Sequence, residues 1–285
     1  MTNSPILVLG AAGKTGRRVT ALLQSRGLPV RPASRSSAHT FDWYDDTTWE
    51  PVLTGAGPVY VVPPIDPGAA GSVTALVERA AASGASRLVL LSGRGVGSPG
   101  RDGATYAFSL AIEDAVRAAG VPWTILRPSW FAQNFSEDFL LPDVLAGEVR
   151  VPTGDGAEPF IHVDDIAEVA AAVLTQDGHT GRAYDLSGPR TLTLTQATAE
   201  IGAATGREIR FVDVPPQQYV AELLEHGLPP AIAQAFGDLF AVIRNGLSDS
   251  VSDGVQRVLG RPPRDFADFA AEVAATGAWR PVTVS

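Results

Sequence analysis

The stretch Gly10-Ala11-Ala12-Gly13-Lys14-Thr15-Gly16 decides the fold. It follows the apolar run of residues 5–9, which is typical of a buried strand, and it opens the helical pattern of residues 15–25. Glycines at such a turn let the backbone bend sharply and approach a pyrophosphate at the helix N-terminus. The spacing G-x-x-G-x-x-G in this context predicts a dinucleotide-binding turn, with Gly10, Gly13, Lys14, Thr15 and Gly16 contacting the cofactor.

Apolar runs and helical patterns alternate through the first half of the chain. The apolar runs cover residues 5–9, 30–33, 58–62, 87–91 and 123–126, and the helical patterns cover residues 15–25, 69–82 and 106–119. Continuous apolarity marks strands that are covered on both faces, and strand–helix alternation indicates βαβ units. The predicted fold class is α/β, a Rossmann-type doubly wound parallel sheet with a small, mostly helical C-terminal substrate lobe.

The second half shows a looser pattern. Residues 160–163 and 183–186 favour strands, residues 164–174 a helix capped by Asp164, and the chain from residue 217 onward favours helix. Earlier, Thr47-Thr48-Trp49-Glu50 has the spacing of a capping box. No Gly/Ser linker divides the chain. We expect an NADP-binding Rossmann domain over 1–150, and over 151–285 the remaining Rossmann elements plus a substrate-binding lobe that does not fold independently.

Composition excludes several classes of function. The 285 residues contain no cysteine, which removes disulfides, zinc–thiolate sites and cysteine nucleophiles, and no metal site is predicted. A net charge of −9 argues against binding to nucleic acid or anionic membranes. No run has the length of a membrane span or the pattern of a signal peptide. The sequence favours a cytoplasmic protein with a small-molecule substrate, either a monomer or a homodimer.

The tripeptide Gly13-Lys14-Thr15 also matches the end of the phosphate-binding loop of nucleotide hydrolases. That loop needs a glycine five residues before Gly13, and Val8 stands there. The turn is too short to wrap a triphosphate, so we disfavour this interpretation. The remaining alternative is a glycine turn without a ligand.

The end of the second predicted strand indicates which dinucleotide binds. An NAD enzyme usually has Asp or Glu there, about twenty residues after the glycine motif, but this chain reads Ala33-Ser34-Arg35-Ser36-Ser37. A guanidinium can hold a 2′-phosphate with two parallel hydrogen bonds. Ser34, Arg35 and Ser36 therefore predict NADPH rather than NADH, unless Arg35 is only a solvated residue.

Other strand ends supply further cofactor candidates, because ligands bind beyond the carboxyl ends of parallel strands. Asp42 is a candidate acceptor for the adenine amine, or a turn residue. Pro63 and Pro64 are candidates to line the nicotinamide ribose, or they only stop the strand. Ser92 ends the next strand.

Several strings carry a family likeness. The glycine turn, Asp164-Asp165-Ile166-Ala167 and the late helical lobe resemble the NmrA-like atypical short-chain dehydrogenase/reductases. A narrower set is similar to the ergot alkaloid biosynthesis reductases, the festuclavine synthase and agroclavine dehydrogenase group: Gly13-Lys14-Thr15-Gly16-Arg17-Arg18, Ala33-Ser34-Arg35-Ser36-Ser37, Phe41-Asp42-Trp43, Leu126-Arg127-Pro128-Ser129-Trp130-Phe131-Ala132-Gln133-Asn134-Phe135, Thr153-Gly154-Asp155-Gly156, Gly227-Leu228-Pro229, Arg244-Asn245-Gly246 and Arg261-Pro262-Pro263-Arg264-Asp265-Phe266. The resemblance implies an NADPH-bound Rossmann domain, a small substrate lobe and hydride delivery to a C=N⁺ carbon.

The lysine count limits the chemistry. Typical short-chain reductases pair a tyrosine with a lysine four residues later, which lowers the phenol pKa for proton donation. Tyr106 is the candidate catalytic tyrosine, but Leu110 follows it at that distance and Lys14 is the only lysine of the chain. An iminium or protonated imine needs no protein proton donor, and a quinone can take its proton from water. Reduction of a conjugated C=C usually needs an acid.

Substrate candidates follow the strand that ends near Pro128. Trp130, Phe131, Asn134 and Phe135, and more weakly Phe160 and Tyr219, predict an aromatic wall for a flat or cationic substrate. The alternative is that these aromatic side chains belong to the core. Glu137, Asp138 and Glu158 are candidates to attract a cation, or surface charges, and His162 is interpreted as structural.

Three functions remain open. The first is an NADPH-dependent imine or iminium reductase acting on a small, cyclic or aromatic secondary metabolite. The second is an NADPH:quinone or enone reductase. The third is a non-catalytic regulatory protein that senses NADP(H).

Overall fold

A computed structural model describes residues 4–101 and 103–280. The strands are β1 (Ile6–Leu9), β2 (Val30–Ser34), β3 (His39–Thr40), β4 (Pro58–Val61), β5 (Arg87–Leu91), β6 (Trp123–Pro128), β7 (Glu148–Val151), β8 (Ala157–Glu158), β9 (Arg182–Leu186), β10 (Leu192–Thr193) and β11 (Arg210–Asp213). The helices are α1 (Lys14–Ser25), α2 (Trp49–Leu53), α3 (Ala70–Ala82), α4 (Ala104–Ala118), α5 (Asn134–Glu137), α6 (Leu141–Ala146), α7 (Val163–Thr175), α8 (Leu194–Thr205), α9 (Pro216–Glu225), α10 (Pro230–Arg244), α11 (Gly254–Leu259) and α12 (Phe266–Thr276).

The first of two compact units contains the chain up to Pro128, Asp164–Leu186 and Gly254–Arg261. Its sheet has the strand order β3-β2-β1-β4-β5-β6-β9, and every neighbouring pair is parallel. All four residues of β1 are buried, as expected for a strand that is covered on both faces. The predicted Rossmann-type parallel sheet is confirmed.

The strand order reverses at β1, which pairs with β2 on one side and with β4 on the other. In open parallel sheets, ligands bind beyond the carboxyl ends of the strands at such a switch point. The glycine turn follows β1 at this point. The ends of β4, β5 and β6 continue the same edge, because these strands run parallel to β1.

The second unit contains Ser129–Val163, Ser187–Asp253 and the chain from Pro262. Two short strand pairs lie in it, β7 with β11 in parallel and β8 with β10 antiparallel. Its core is rich in aromatic side chains from α5, α10 and α12. Among the described helices of the whole chain, none is both long and apolar enough to cross a membrane.

The strand predicted over residues 160–163 is wrong. Ile161 forms only an isolated bridge with Phe131, and Val163 already begins α7. The short apolar run suits either a strand or the buried start of a helix, so its hydrophobicity alone does not distinguish them. The predicted cap Asp164 lies inside the first turn of α7, where its Oδ1 forms an ion pair with Arg18 Nε at 2.7 Å.

The predicted capping box at residues 47–50 is also wrong. Asp45 caps this region, since its Oδ1 accepts the Thr47 N–H at 3.1 Å and starts a 3₁₀ turn over Asp46–Thr48. Helix α2 then begins at Trp49 without a side-chain cap. The carboxylate of Asp45, two residues before Thr47, thus accepts the N–H group that the capping box would have satisfied.

Candidate functional site

The glycine turn is shaped by its own backbone. Gly10 has φ +72°, a conformation that favours glycine, and its carbonyl accepts the Gly13 N–H at 2.9 Å. A Cβ on Gly16 would lie 2.2 Å from the Gly10 oxygen, so any side chain at Gly16 would collide with the turn. The turn therefore requires glycine at the first and last positions of the motif.

The N-terminus of α1 suits an anion. Gly13 is its N-cap residue and offers no side chain to the first N–H groups, and the first turn holds Lys14 but no carboxylate. The aligned peptide dipoles make this end partly positive, and free N–H groups can donate to phosphate oxygens. Thr15 is 3% exposed, and it packs the start of the helix into the first unit. These residues fit the pyrophosphate of a dinucleotide.

The serine and arginine residues after β2 differ in exposure. Ser34 is buried, its hydroxyl lies 2.6 Å from the Ser37 hydroxyl, and its Oγ accepts the Ser36 N–H at 3.3 Å. These contacts hold the turn. Arg35 and Ser36 are exposed. The Arg35 guanidinium is thus presented to solvent beyond the strand end, where a 2′-phosphate contact stays a prediction.

Two hydrogen bonds hold Asp42 in a turn, one to its side chain and one to its main-chain oxygen. Its Oδ1 accepts the Tyr44 N–H at 3.0 Å, and its main-chain oxygen accepts the indole N–H of Trp49 at 2.7 Å. Beside it, Tyr44 is 63% exposed and donates its hydroxyl to Asp66 at 2.9 Å. Partial desolvation and this hydrogen bond raise the pKa of the Tyr44 hydroxyl. The adenine contact of Asp42 stays a prediction, and the sequence analysis did not single out Tyr44.

The end of β4 lies directly against the glycine turn. A Cβ built on Gly10 would lie 3.2 Å from the Val62 Cβ. Pro63 and Pro64 follow Val62 and are partly buried. The first unit therefore brings the turn and these prolines to one edge of the sheet, and the ribose contact of the prolines stays a prediction.

Ser92 belongs to a buried polar cluster that the sequence analysis missed. Its hydroxyl donates to Glu113 Oε1 at 2.7 Å, and Arg127 Nε donates to the same oxygen at 2.8 Å. Glu113 lies on α4 and is fully buried. Burial alone would raise the pKa of Glu113, but hydrogen bonds from Arg127 and Ser92 outweigh it and hold the pKa below its ordinary value. The sequence signal for this cluster was Arg127, a charged residue that follows the apolar residues of β6.

Tyr106 lies in the first turn of α4 and is 7% exposed. The guanidinium carbon of Arg101 lies 5.9 Å from the centre of its ring. Leu110, four residues later, is partly exposed on the same helix. Tyr106 and Glu113 are seven residues apart, so they share one face of α4.

In the second unit, Trp130 belongs to an aromatic group with Phe139, Phe236, Phe240 and Tyr219. The Trp130 ring lies 4.7 Å from Phe240 and 6.0 Å from Phe139, centre to centre. Phe236 and Tyr219 complete the group through Phe139 and Phe240. Trp130, Phe139 and Phe236 are partly exposed, whereas Phe240 and Tyr219 are buried. Burial raises the pKa of Tyr219.

Phe135 and Phe160 are core residues. They are 0% and 3% exposed, and both rings pack on Phe266, at 5.6 Å and 5.5 Å between ring centres. The Trp279 indole N–H also donates to the Phe135 carbonyl at 2.8 Å. Because these side chains expose almost no surface, we leave them out of the proposed substrate contacts.

The other predicted substrate residues of the second unit differ in their exposure. Phe131 is partly exposed and Asn134 is 8% exposed. Glu137 and Asp138 are exposed, but Glu158 is only 1% exposed and its Oε1 accepts the Trp130 N–H at 3.1 Å. Glu158 is thus a buried residue and not a surface charge.

His162 has a structural environment. It is 4% exposed, and its Nε2 lies 3.0 Å from Gln133 Nε2. The Gln133 oxygen accepts the Val163 N–H at 2.8 Å, so the amide nitrogen is the group that faces His162. These bonds join the start of α7 to the segment after β6 within the second unit.

Comparisons with known proteins agree with this architecture. A family profile described as NAD(P)H-binding matches residues 10–177, and one described as the NmrA-like family matches residues 98–269. Agroclavine dehydrogenase of Claviceps fusiformis is 34% identical, covering 94% of this chain and 96% of that protein. NAD(P)H azoreductase of Xenophilus azovorans is 32% identical, covering 96% and 99%.

The fold is also similar to a solved structure. An NADPH-dependent quinone oxidoreductase from Escherichia coli, crystallised with NADPH, superposes with a TM-score of 0.80. The two sequences are 22% identical, and the match covers 94% of this chain and 99% of that one.

Proposed function

The chain belongs to the NmrA-like family of NAD(P)H-binding proteins, and from that premise we propose an NADPH-dependent reductase that delivers hydride to an imine or iminium carbon. The substrate would be a small, cyclic or aromatic secondary metabolite. One observation carries the proposal: Lys14 is the only lysine, and Leu110 stands four residues after Tyr106. A Tyr–Lys pair at that spacing is therefore absent from the sequence.

The reacting group follows from this absence. A ketone develops negative charge on oxygen during reduction and needs a proton donor. An iminium carbon is already electrophilic, and its nitrogen becomes neutral on reduction, so the protein needs no acid. The remaining task is to orient the acceptor and exclude water. The resemblance to the ergot alkaloid biosynthesis reductases implies an acceptor of this kind, and agroclavine dehydrogenase is among the relatives.

The first unit would hold the cofactor. We assign the pyrophosphate to the turn formed by Gly10, Gly13, Lys14, Thr15 and Gly16. The 2′-phosphate would contact Ser34, Arg35 and Ser36, with the adenine near Asp42. We assign Pro63 and Pro64, which follow β4, to the nicotinamide half, and Ser92, which follows β5, to the edge between the nicotinamide and the acceptor. When bound, NADPH supplies the hydride.

Within the second unit, we propose the partly exposed aromatic side chains as substrate contacts. The partly exposed rings of Trp130, Phe139 and Phe236 can cover a flat molecule, and indole faces attract cations. Phe131 and Asn134 are further proposed contacts. Tyr106, which has no lysine four residues later, would contact a ligand and not act as an acid.

A second candidate is an NADPH:quinone reductase. A quinone also needs no protein proton donor, and an NAD(P)H azoreductase among the relatives is named for an acceptor other than an imine. The two candidates differ in the charge of the acceptor, since an iminium is cationic and a quinone is neutral.

A panel of acceptors tests the proposal. NADPH oxidation is followed with cyclic iminium salts, quinones and enones at matched concentrations, beside a calorimetric titration of NADPH alone. Turnover of iminium salts at the highest kcat/KM supports the proposal, and turnover of quinones alone replaces it with the second candidate. Tight NADPH binding without oxidation by any acceptor would indicate a sensor of NADP(H).

A further inference from the structure

The Ser92 hydroxyl donates its single hydrogen to Glu113, another residue of the first unit. Its Oγ lies 2.7 Å from Glu113 Oε1, and a carboxylate can only accept hydrogen bonds. Ser92 is therefore the donor of this bond. A serine hydroxyl has one hydrogen, so its oxygen can serve any further partner only as an acceptor.

Hydrogen bonds from two arginines stabilise the ionised carboxylate of Glu113. Arg127 donates to both of its carboxylate oxygens, through Nε to Oε1 and through Nη2 to Oε2. Arg117 donates a further bond to Oε2. These charge-assisted bonds hold the carboxylate in one orientation, because a two-point Arg–carboxylate pair restricts its rotation. Ser92 thus faces a fixed acceptor.

Ser92 stands where a dinucleotide-binding sheet meets its ligands. It follows β5, which neighbours β4, and the end of β4 contacts the glycine turn through Val62 and Gly10. Two strand spacings, about 10 Å, separate the ends of β5 and β1. Ser92 is partly buried, and its own N–H donates to the Leu126 carbonyl at 2.8 Å. The lone pairs of the Ser92 hydroxyl oxygen can therefore accept a hydrogen bond from a ligand.

We propose that Ser92 binds the substrate by accepting a hydrogen bond from the N–H of a protonated imine, and that Glu113 is the positioning residue that keeps Ser92 in this acceptor role. This inference rests on the proposed function. The acceptor carbon gains hydride from NADPH, the C=N π electrons return to nitrogen, and the nitrogen keeps its hydrogen. The products are a neutral amine and NADP⁺, so no further proton is needed. A carbonyl oxygen, which has no hydrogen, would find no donor at Ser92.

Two substrates that differ by one group test the inference. One is a cyclic imine protonated on nitrogen, and the other is its N-methyl iminium salt, which has the same ring and charge but no N–H. For Ser92→Ala, we expect kcat/KM for the protonated imine to fall about tenfold to hundredfold, the effect of a hydrogen bond to a charged group. The N-methyl salt should change by less than about twofold, since it makes no such bond.

Two further variants serve as controls. Ser92→Thr keeps the hydroxyl and should restore most of the preference for the protonated imine. Ser98→Ala removes an exposed serine of the same unit and should leave both substrates unchanged. The dissociation constant of NADPH, measured by calorimetry, should be the same for Ser92→Ala and the unaltered protein.

Glu113→Gln tests the positioning role. The amide can donate to Ser92 and release its hydrogen, so the ratio of kcat/KM between the protonated imine and the N-methyl salt should fall. This substitution leaves Arg127 without its charge partner and can unfold the protein. In that case Ser92→Ala alone decides.

The outcomes separate the inference from the function. Equal losses on both substrates, or weaker NADPH binding in Ser92→Ala, would mean that Ser92 serves the cofactor, and the inference would be wrong. The absence of any loss would also overturn it. If the unaltered protein reduces neither substrate, the proposed function fails together with the inference that rests on it.

Discussion

The glycine turn and the segment after β6 are the two regions in which sequence motifs are densest, and their residues behave differently. In the turn, Gly10 and Gly16 are each required by the backbone around them. In the segment, Trp130 and Phe135 are both aromatic and five residues apart, but Trp130 is partly exposed and Phe135 is fully buried.

The difference lies in the distance along the chain from which each constraint comes. The atoms that restrict Gly16 belong to Gly10 and Ala11, within the same motif. Phe266 of α12, which packs on Phe135, and Phe240 of α10, which packs on Trp130, lie more than a hundred residues later in the chain. A local motif therefore predicts the shape of the turn, but it does not predict which aromatic residue joins the core.

The largest expected effect sharpens the comparison within the aromatic segment. Phe135→Ala should lower the free energy of unfolding by about 3–5 kcal/mol, the usual effect of removing a buried phenylalanine. Phe236→Ala, at a partly exposed ring, should lower it by only about 1 kcal/mol while raising KM for the acceptor. Denaturant titrations and steady-state kinetics measure both. Similar stability losses would remove the distinction between core and substrate contact.

The next effect tests the backbone requirement in the turn. Gly16→Ala should destabilise the protein by about 1–3 kcal/mol or more, because its Cβ meets the Gly10 carbonyl, and it should weaken NADPH binding. Gly71→Ala is the matched control, since its Cβ meets nothing within 4 Å on α3, and it should stabilise by about 0.5 kcal/mol. Thermal unfolding of both variants checks the two signs. A Gly16→Ala protein as stable as its parent would contradict the account of the turn.

A smaller effect concerns the exposed cation beside the turn. Arg35→Ala should weaken NADPH binding about tenfold to hundredfold and leave NADH binding unchanged, because the lost bonds are to the 2′-phosphate. Arg26→Ala, another exposed arginine of the first unit, is the control and should change neither. Calorimetric titrations with both dinucleotides give the result. An equal loss of affinity for NADH would show that Arg35 does not bind the 2′-phosphate.

The smallest effect is expected at Tyr106. Tyr106→Phe should reduce kcat/KM for the iminium acceptor by less than about tenfold, because general-acid catalysis contributes at least about a hundredfold where it operates. Steady-state rates across pH values measure it. A loss of a hundredfold or more would identify Tyr106 as an acid and require a mechanism that does not depend on lysine.

The sequence predicts what continuous apolarity and glycine spacing control. The strands β1, β2, β4, β5 and β6 of the parallel sheet and the helices α1, α3 and α4 follow from those patterns. Residues 160–163 fail because a short apolar run suits both a strand and the start of α7. The charged Arg127 in β6 was a sequence signal, but its partnership with Glu113 and Ser92 joins α4 to two strand ends, and a local pattern does not predict those partners. The core position of Phe160 likewise depends on Phe266, which is far along the chain.

Deuterium transfer from the cofactor to the product shows whether the protein delivers hydride to a C=N carbon. The purified protein is mixed with NADPH carrying two deuterium atoms at nicotinamide C4 and with a cyclic iminium salt, and the amine product is analysed by mass spectrometry and NMR. The account predicts one deuterium on the former iminium carbon, with NADP⁺ formed in equal amount. Unlabelled amine, or no amine while a quinone is reduced under the same conditions, would contradict it.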